Sequence, residues 1–134
     1  MGIRDSRRCF RRCHITFSFL NISLITIFFC IYLTNHFLIK PNLDWVISDG
    51  YLNDALGMAI LLAYSNLVII SCDNRRLLIL SFSRIFTFAF LVGLFWEYIT
   101  PLYRSNSVSD PFDLLAYLSG ASVYYSFLRS KLFF

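Results

Sequence analysis

Charged side chains are scarce in this sequence: they make up 15% of its 134 residues, whereas 57% of the residues are hydrophobic. Soluble domains carry about 25% charged residues, so too few polar side chains remain here to cover a surface that faces water. The sequence also lacks an internal repeat and a low-complexity linker. The composition therefore indicates one membrane domain over residues 1–134, with the lipid bilayer as its main partner.

The excess of basic residues does not predict a nucleic-acid partner. The net charge is +4, but the bases lie at the ends of apolar runs and in the polar breaks between them, where membrane topology accounts for them. The cysteines carry no site either, because Cys9 and Cys13 lack zinc-pair spacing and no second pair completes a cluster. We expect no nucleic acid and incidental thiols.

Four apolar stretches dominate the chain, at about residues 15–39, 51–71, 77–100 and 111–128. Each reaches or nearly reaches the roughly 20 residues that a helix needs to cross a bilayer. Helices are the expected form, because lipid offers backbone groups no hydrogen-bond partner and a lone strand cannot close a barrel. The sequence therefore predicts an all-α integral membrane bundle of four transmembrane helices.

The basic residues set the orientation of this bundle. If the chain crosses four times, ten of the 12 Lys and Arg residues fall on one side: Arg4, Arg7, Arg8, Arg11, Arg12, Arg75, Arg76, Arg84, Arg129 and Lys131. Only Lys40 and Arg104 fall on the other side. Basic residues concentrate on the cytoplasmic side of membrane proteins, so both termini are predicted to be cytoplasmic.

A signal peptide is the competing interpretation of the N-terminus, and Arg7-Arg8 resembles a twin-arginine signal. The apolar run is too long for a typical signal peptide, and no small-x-small cleavage site follows Tyr32. A retained first helix is therefore favoured.

The acidic residues gather on the opposite, outer side of this topology. Six of the eight Asp and Glu residues are predicted to lie on this outer side: Asp44, Asp49, Asp54, Glu97, Asp110 and Asp113. Asp110, with Pro111 after it, is typical of a helix N-cap, and Asp113 would complement the helix dipole in the first turn. For Asp54 and Asp113, structural and functional roles both remain open.

Glu97 does not fit such a structural role. It lies near the C-terminal end of the third predicted helix, where the helix dipole disfavours an anion. Ionisable groups at membrane depth are costly and are functional candidates by default. Ala89, Gly93 and Glu97 recur every four residues and share one helical face, so we expect Glu97 to face the bundle.

These positions predict a shallow outer cavity around Asp54, Glu97 and Asp113. Tyr117 shares a helical face with Asp113, and Arg104 is the expected partner of Glu97 because its planar fork matches a carboxylate. The pair could simply lock the third helix to the following loop. Alternatively, the three carboxylates could bind Mg²⁺ or Ca²⁺, which prefer oxygen ligands, or relay protons.

The stretch from Gly93 to Gly120 reads G-x-x-x-E-x-x-x-P…R…S-D-P-x-D-x-x-x-Y-x-x-G and resembles the VanZ-like family of small bacterial membrane proteins. Glu97, Arg104, Asp113 and Gly120 match the acidic, basic and glycine positions of that family, and Asp54 resembles its other acidic position. Two positions depart from the family pattern. Tyr117 stands where the family often has Asn, and Met58 where it often has His.

The pattern is nearer to short membrane proteins labelled magnesium–citrate secondary transporters. The resemblance implies several transmembrane helices in the bacterial cytoplasmic membrane. We expect an envelope-related role that is non-enzymatic or of unknown chemistry, in which a cation or a polar envelope ligand is bound by Asp54, Glu97, Arg104, Asp110, Asp113 and Tyr117. One alternative is a secondary transporter, necessarily a homo-oligomer because four helices are few. The other is an enzyme acting on a lipid-linked substrate, with Glu97 or Asp113 as general base.

Overall fold

The computed structural model describes residues 3–39, 50–103 and 111–132, and within these ranges the chain is helical with short connections and no strand. Its long helices are α1 (Ile3–Thr34), α2 (Tyr51–Ser71), α3 (Phe82–Leu94) and α4 (Pro111–Leu132). Three segments are long and apolar enough to cross a membrane: Ile15–Leu38, Tyr51–Ser71 and Phe82–Ile99. The all-α prediction is confirmed, and the structure is that of a membrane protein by the length and apolarity of these helices.

Two helices end in a wider, π-helical turn. Asn35–Ile39 continues α1, and Phe95–Ile99 continues α3 before a last α-helical turn, Thr100–Tyr103. A π-helical turn holds an extra residue, which shifts the side chains that follow around the helix axis. Both turns lie at the end of the bundle where α2 begins, which is also the end that carries the predicted acidic cavity.

The helix boundaries match the prediction best in the middle of the chain. Tyr51–Ser71 agrees with the predicted second helix, whereas α1 begins twelve residues before the predicted residue 15 and α4 ends four residues after the predicted residue 128. The N-terminal residues of α1 are polar, and hydropathy does not reveal helix there. α4 is 22 residues long but less apolar than the three segments above.

The connection from α2 to α3 is where the predicted boundary is wrong. α2 ends in a Schellman motif: Asp73 has a φ of 54°, its N–H donates to the Ile70 carbonyl, and the Asn74 N–H donates to the Ile69 carbonyl. A 3₁₀ turn, Arg75–Leu77, and a non-helical segment follow. α3 therefore begins at Phe82 and not at residue 77, with the Ser81 hydroxyl as its N-cap, accepting from the Arg84 N–H at 3.4 Å.

A buried carboxamide explains why the apolar residues after Leu77 are not helical. Asn66 of α2 accepts a hydrogen bond from the Ile79 N–H at 2.8 Å and donates one to the Ile79 carbonyl at 2.9 Å. Both backbone groups of Ile79 are thus satisfied without a helix. In the same segment, the exposed Arg84 guanidinium donates to the carbonyls of Arg76 and Leu78.

The helices pack in the spatial order α1, α2, α4, α3. α2 and α4 run in the same direction, because Ala55 near the start of α2 contacts Gly120, and Asn66 near its end bonds Tyr124. Helices two apart in an up-and-down bundle are parallel in this way. The ends of α1 and α3 consequently meet the beginnings of α2 and α4 at one end of the bundle.

A hydrogen-bonded chain of three buried side chains crosses the apolar core. The Tyr124 hydroxyl donates to Asn21 Oδ1 at 2.7 Å and accepts from Asn66 Nδ2 at 2.8 Å. Asn21 Nδ2 donates to the Phe17 carbonyl of its own helix. No buried side-chain nitrogen or oxygen among the described residues lacks a hydrogen-bond partner. Such fully satisfied contacts join helices where lipid removes the hydrophobic driving force.

Candidate functional site

The beginning of α2 brings Asp54 to the end of the bundle where the π-helical turn with Glu97 lies. Asp54 lies in the first turn of the helix, where the Asp54 N–H donates to the Gly50 carbonyl at 3.1 Å. The neighbouring Asn53 accepts a hydrogen bond from Asn35 Nδ2 at 3.1 Å, and Asn35 is buried in the π-helical turn after α1. This contact fixes the end of α1 against the turn that carries Asp54.

Glu97 lies in the π-helical turn after α3 and is buried, with 8% of its surface exposed. Ala89 and Gly93 on the same face of α3 are buried as well. The prediction that this face is turned toward the bundle is therefore confirmed. The wider turn also leaves the adjacent Trp96 half exposed, so one turn presents both a buried carboxylate and an aromatic ring.

Gly93 makes room for side chains of α4. A Cβ at this position would lie 2.6 Å from Leu114 Cδ1 and 3.0 Å from Tyr117 Cδ2, both closer than carbon atoms normally approach. A side chain at this position would require Leu114 and the Tyr117 ring to shift. Gly93, one turn before Glu97, thus allows the Tyr117 ring to lie close against α3.

The described acidic groups converge at this end of the bundle. The charges of Asp113 and Glu97 both act on the Asp54 carboxyl group, and those of Asp54, Glu97 and Asp113 all act on the Tyr117 hydroxyl. Asp113 lies in the first turn of α4. The structure therefore brings together Asp54, Glu97, Asp113 and Tyr117, whereas Arg104 and Asp110 lie outside the described residues.

A cavity of about 420 Å³ lies beside these groups. Its lining residues come from three helices: Asn53, Asp54, Gly57, Met58 and Leu61 of α2, Val92 and Trp96 of the α3 segment, and Tyr117 of α4. The volume is within the range of small-molecule sites. Asp54 and Tyr117 line the cavity directly, and the charges of Glu97 and Asp113 act on both of them.

Sequence reasoning missed several residues at this site and in the core. Asn53 and Trp96 line the cavity, Asn35 holds Asn53, and Asn21 and Asn66 bind Tyr124. The signal for the asparagines was present, because a carboxamide within an apolar run requires a partner in the bundle. A signal for Trp96 was also present, because Trp96 lies four residues after Val92 and shares its helical face.

Within residues 3–39, 50–103 and 111–132, no three His, Cys, Asp or Glu side chains are grouped so that they could hold one metal ion. A Mg²⁺ or Ca²⁺ site formed by Asp54, Glu97 and Asp113 stays a prediction. The chemistry of the described cavity is that of negative charge beside aromatic rings. This combination favours cations, through direct attraction to carboxylates and through the negative faces of the rings.

Comparisons of this chain with protein-family models, curated proteins and solved structures find no match.

Proposed function

We propose that this chain is a VanZ-like protein of the bacterial cytoplasmic membrane, crosses it four times with both termini cytoplasmic, and binds a cation in its outer acidic cavity. The observation that carries this proposal is the convergence of Asp54, Glu97 and Asp113 beside a cavity that Asp54 and Tyr117 line. The role is binding, and the resemblance described above supports the assignment to an envelope protein.

The packing of α4 supports a fourth crossing. Its 22 residues span about 33 Å, and it lies parallel to α2, which has the length and hydropathy of a membrane-spanning helix. A helix packed along a crossing helix over such a length passes through the same hydrocarbon layer. Its acidic first turn and basic last turn then lie toward opposite surfaces of the bilayer.

The distribution of side chains supports the orientation. The described basic residues Arg76, Arg84, Arg129 and Lys131 lie at the end of the bundle opposite Asp54, Glu97 and Asp113. The exposed rings of Trp96, Tyr98 and Tyr103 lie at the acidic end. Basic residues concentrate on the cytoplasmic side, and Trp and Tyr concentrate at membrane–water interfaces. The acidic cavity is then near the outer headgroup layer.

A cation is the ligand that this charge pattern favours. Three carboxylates near one another repel, and the repulsion is strong where water is scarce. A bound cation relieves this repulsion in the folded protein only, so it stabilises the fold. The expected gain is about 1.4 kcal/mol when the free cation is at about ten times its dissociation constant.

Thermal melting of the purified chain in detergent tests this proposal. MgCl₂, CaCl₂ and ethylammonium chloride are compared with NaCl at equal ionic strength. At least one of the three should raise the melting temperature by a few degrees. The rise should disappear in Asp113→Asn and persist in Asp73→Asn, because Asp73 is exposed at the opposite end of the bundle. The absence of a rise with all three salts, or an equal rise in both variants, would refute cation binding at this site.

A further inference from the structure

The acidic cavity is a cleft that opens on the side of the bundle. α2 and α3 each pack closely against α4, whereas over their described lengths their backbones approach each other far less. The cavity occupies this gap, with Tyr117 of α4 at its back. Gly57 and Trp96, which line it on α2 and on the α3 segment, are both exposed. Its mouth therefore lies between two membrane helices and faces the lipids.

The polarity of the cleft changes along its length. Asn53 and Asp54 line it in the first turn of α2, and Leu61 lines it about 10 Å further along the helix. On the opposite wall, Val92 lies one turn deeper than Trp96. The cleft is therefore polar at the outer end of the helices and apolar toward the middle of the bilayer. This change in polarity matches a molecule that has a polar head and an apolar chain.

The described charges at the cleft are negative. None of the described residues that line it is basic, and the charges that act on Asp54 come from Asp113 and Glu97. An anionic headgroup would be repelled from this place, whereas an ammonium group would be attracted by the carboxylates. The rings of Trp96 and Tyr117 add aromatic faces, which attract ammonium groups further.

We infer that this cleft binds a membrane lipid with an ammonium headgroup, of the phosphatidylethanolamine type. The ammonium group lies beside Asp54, the acyl chain follows Leu61 and Val92, and the phosphate stays at the mouth in the headgroup layer. This inference rests on the proposed function, because it identifies the cation that the cavity binds as the ammonium group of a lipid. A soluble amine and a helix of a second copy of the chain are the competing occupants.

Quenching of Trp96 fluorescence by brominated lipids tests the inference. The sequence has two tryptophans, so Trp45→Phe in the full chain leaves Trp96 as the only one. The protein is placed in phosphatidylglycerol nanodiscs that contain an equal mole fraction of either acyl-brominated phosphatidylethanolamine or acyl-brominated phosphatidylglycerol. We expect at least twofold stronger quenching by the ethanolamine lipid. Equal quenching by the two lipids overturns the inference.

Two substitutions locate the binding. A Cβ at Gly57 would meet nothing within 4 Å, so the side chain of Gly57→Leu begins in open space at the cleft. It should abolish the lipid preference and keep or raise the melting temperature, because leucine is the better helix former. Val68→Leu, at an exposed position of α2 that does not line the cleft, should keep the preference. A preference that persists in Gly57→Leu overturns the assignment to this cleft.

Charge substitutions separate this inference from the proposed function. Asp54→Asn should reduce the lipid preference at least twofold, whereas Asp73→Asn should leave it unchanged. If ethylammonium raises the melting temperature but the brominated lipids quench equally, cation binding stands and the lipid inference fails. If none of the three salts raises the melting temperature and the brominated lipids quench equally, both fail. A dimer that Gly57→Leu dissociates would identify a second copy as the occupant and overturn the inference.

Discussion

Gly120 of α4 lies directly against the backbone of Ala55 in α2. A Cβ at Gly120 would overlap the Ala55 carbonyl oxygen and would lie 2.8 Å from its carbonyl carbon. The two helices therefore approach as closely as their backbones permit, next to Asp54. This contact joins the beginning of α2 to the middle of α4, and it fixes the position of Asp54 along the helix that also carries Asp113.

Gly120→Ala should destabilise the protein and open this end of the bundle. The added methyl group has only backbone atoms to displace, so a helix must shift, at a cost of about 1–3 kcal/mol. Thermal or SDS-induced unfolding in mixed micelles measures the loss. Gly57→Ala is the matched control in the same region: its Cβ meets nothing within 4 Å and alanine favours helix, so its stability should be unchanged or higher. Equal stability of the two variants would contradict the close approach.

Tyr124→Phe should weaken the core by about 1–2 kcal/mol, because it removes the hydroxyl that joins Asn21 to Asn66. Unfolding in mixed micelles measures this change. Tyr125→Phe is the control, since it keeps the ring that packs edge-on against Phe82 at a centroid distance of 5.4 Å. A loss no larger than that of the control would mean that the buried hydrogen bonds contribute no net stability.

Glu97→Gln and Arg104→Gln test the predicted ion pair, whose arginine lies outside the described residues. If the two pair where water is scarce, removing either partner should cost about 3–5 kcal/mol, because the other charge stays buried. The double variant should then lose less than the sum of the single losses. Additive losses in unfolding free energy would show that the two side chains do not interact.

Membrane topology is testable by labelling engineered single cysteines in a cysteine-free background. Cysteines at position 2 and position 133 should react only after the membrane is permeabilised, and a cysteine at position 106 should react in intact cells. The expectation follows from the ten-to-two distribution of the 12 basic residues. An external C-terminus would exclude the four-crossing arrangement and move the acidic cavity to the other side.

The pattern of apolar runs predicted most of the fold, since lipid permits few structures other than continuous helices. Ala89, Gly93 and Glu97 recur every four residues, and this spacing also predicted the buried face of α3. The residue at which α3 begins could not be predicted from apolar runs or from helical spacing. Residues 77–80 are as apolar as the helix itself, and only the buried Asn66, 13 positions earlier in the sequence, draws the backbone of Ile79 out of the helical pattern.

The sequence predicted Asp54 and Tyr117, which line the cavity, but not the lateral opening of the cavity. The common depth of Asp54, Glu97 and Asp113 follows from helix ends in an up-and-down bundle. The lateral opening depends on which helices touch, and hydropathy contains no information on the spatial order α1, α2, α4, α3. The π-helical turn at Glu97 is likewise not visible in the hydropathy pattern, whereas Trp96 lines the same wall as Val92, four residues earlier, as helical spacing predicts.

The hydrogen bonds of Tyr124 have a consequence for how the chain is assembled. Tyr124 is 103 positions from Asn21 and 58 from Asn66, and it belongs to the last helix. A ribosome delivers the two asparagines to the membrane well before it delivers the tyrosine. Until α4 packs into the bundle, the Asn21 Oδ1 atom lacks the hydrogen bond that the Tyr124 hydroxyl donates to it. The last helix thus closes the polar core, and a chain truncated before residue 124 should be a ready substrate for membrane quality-control proteases.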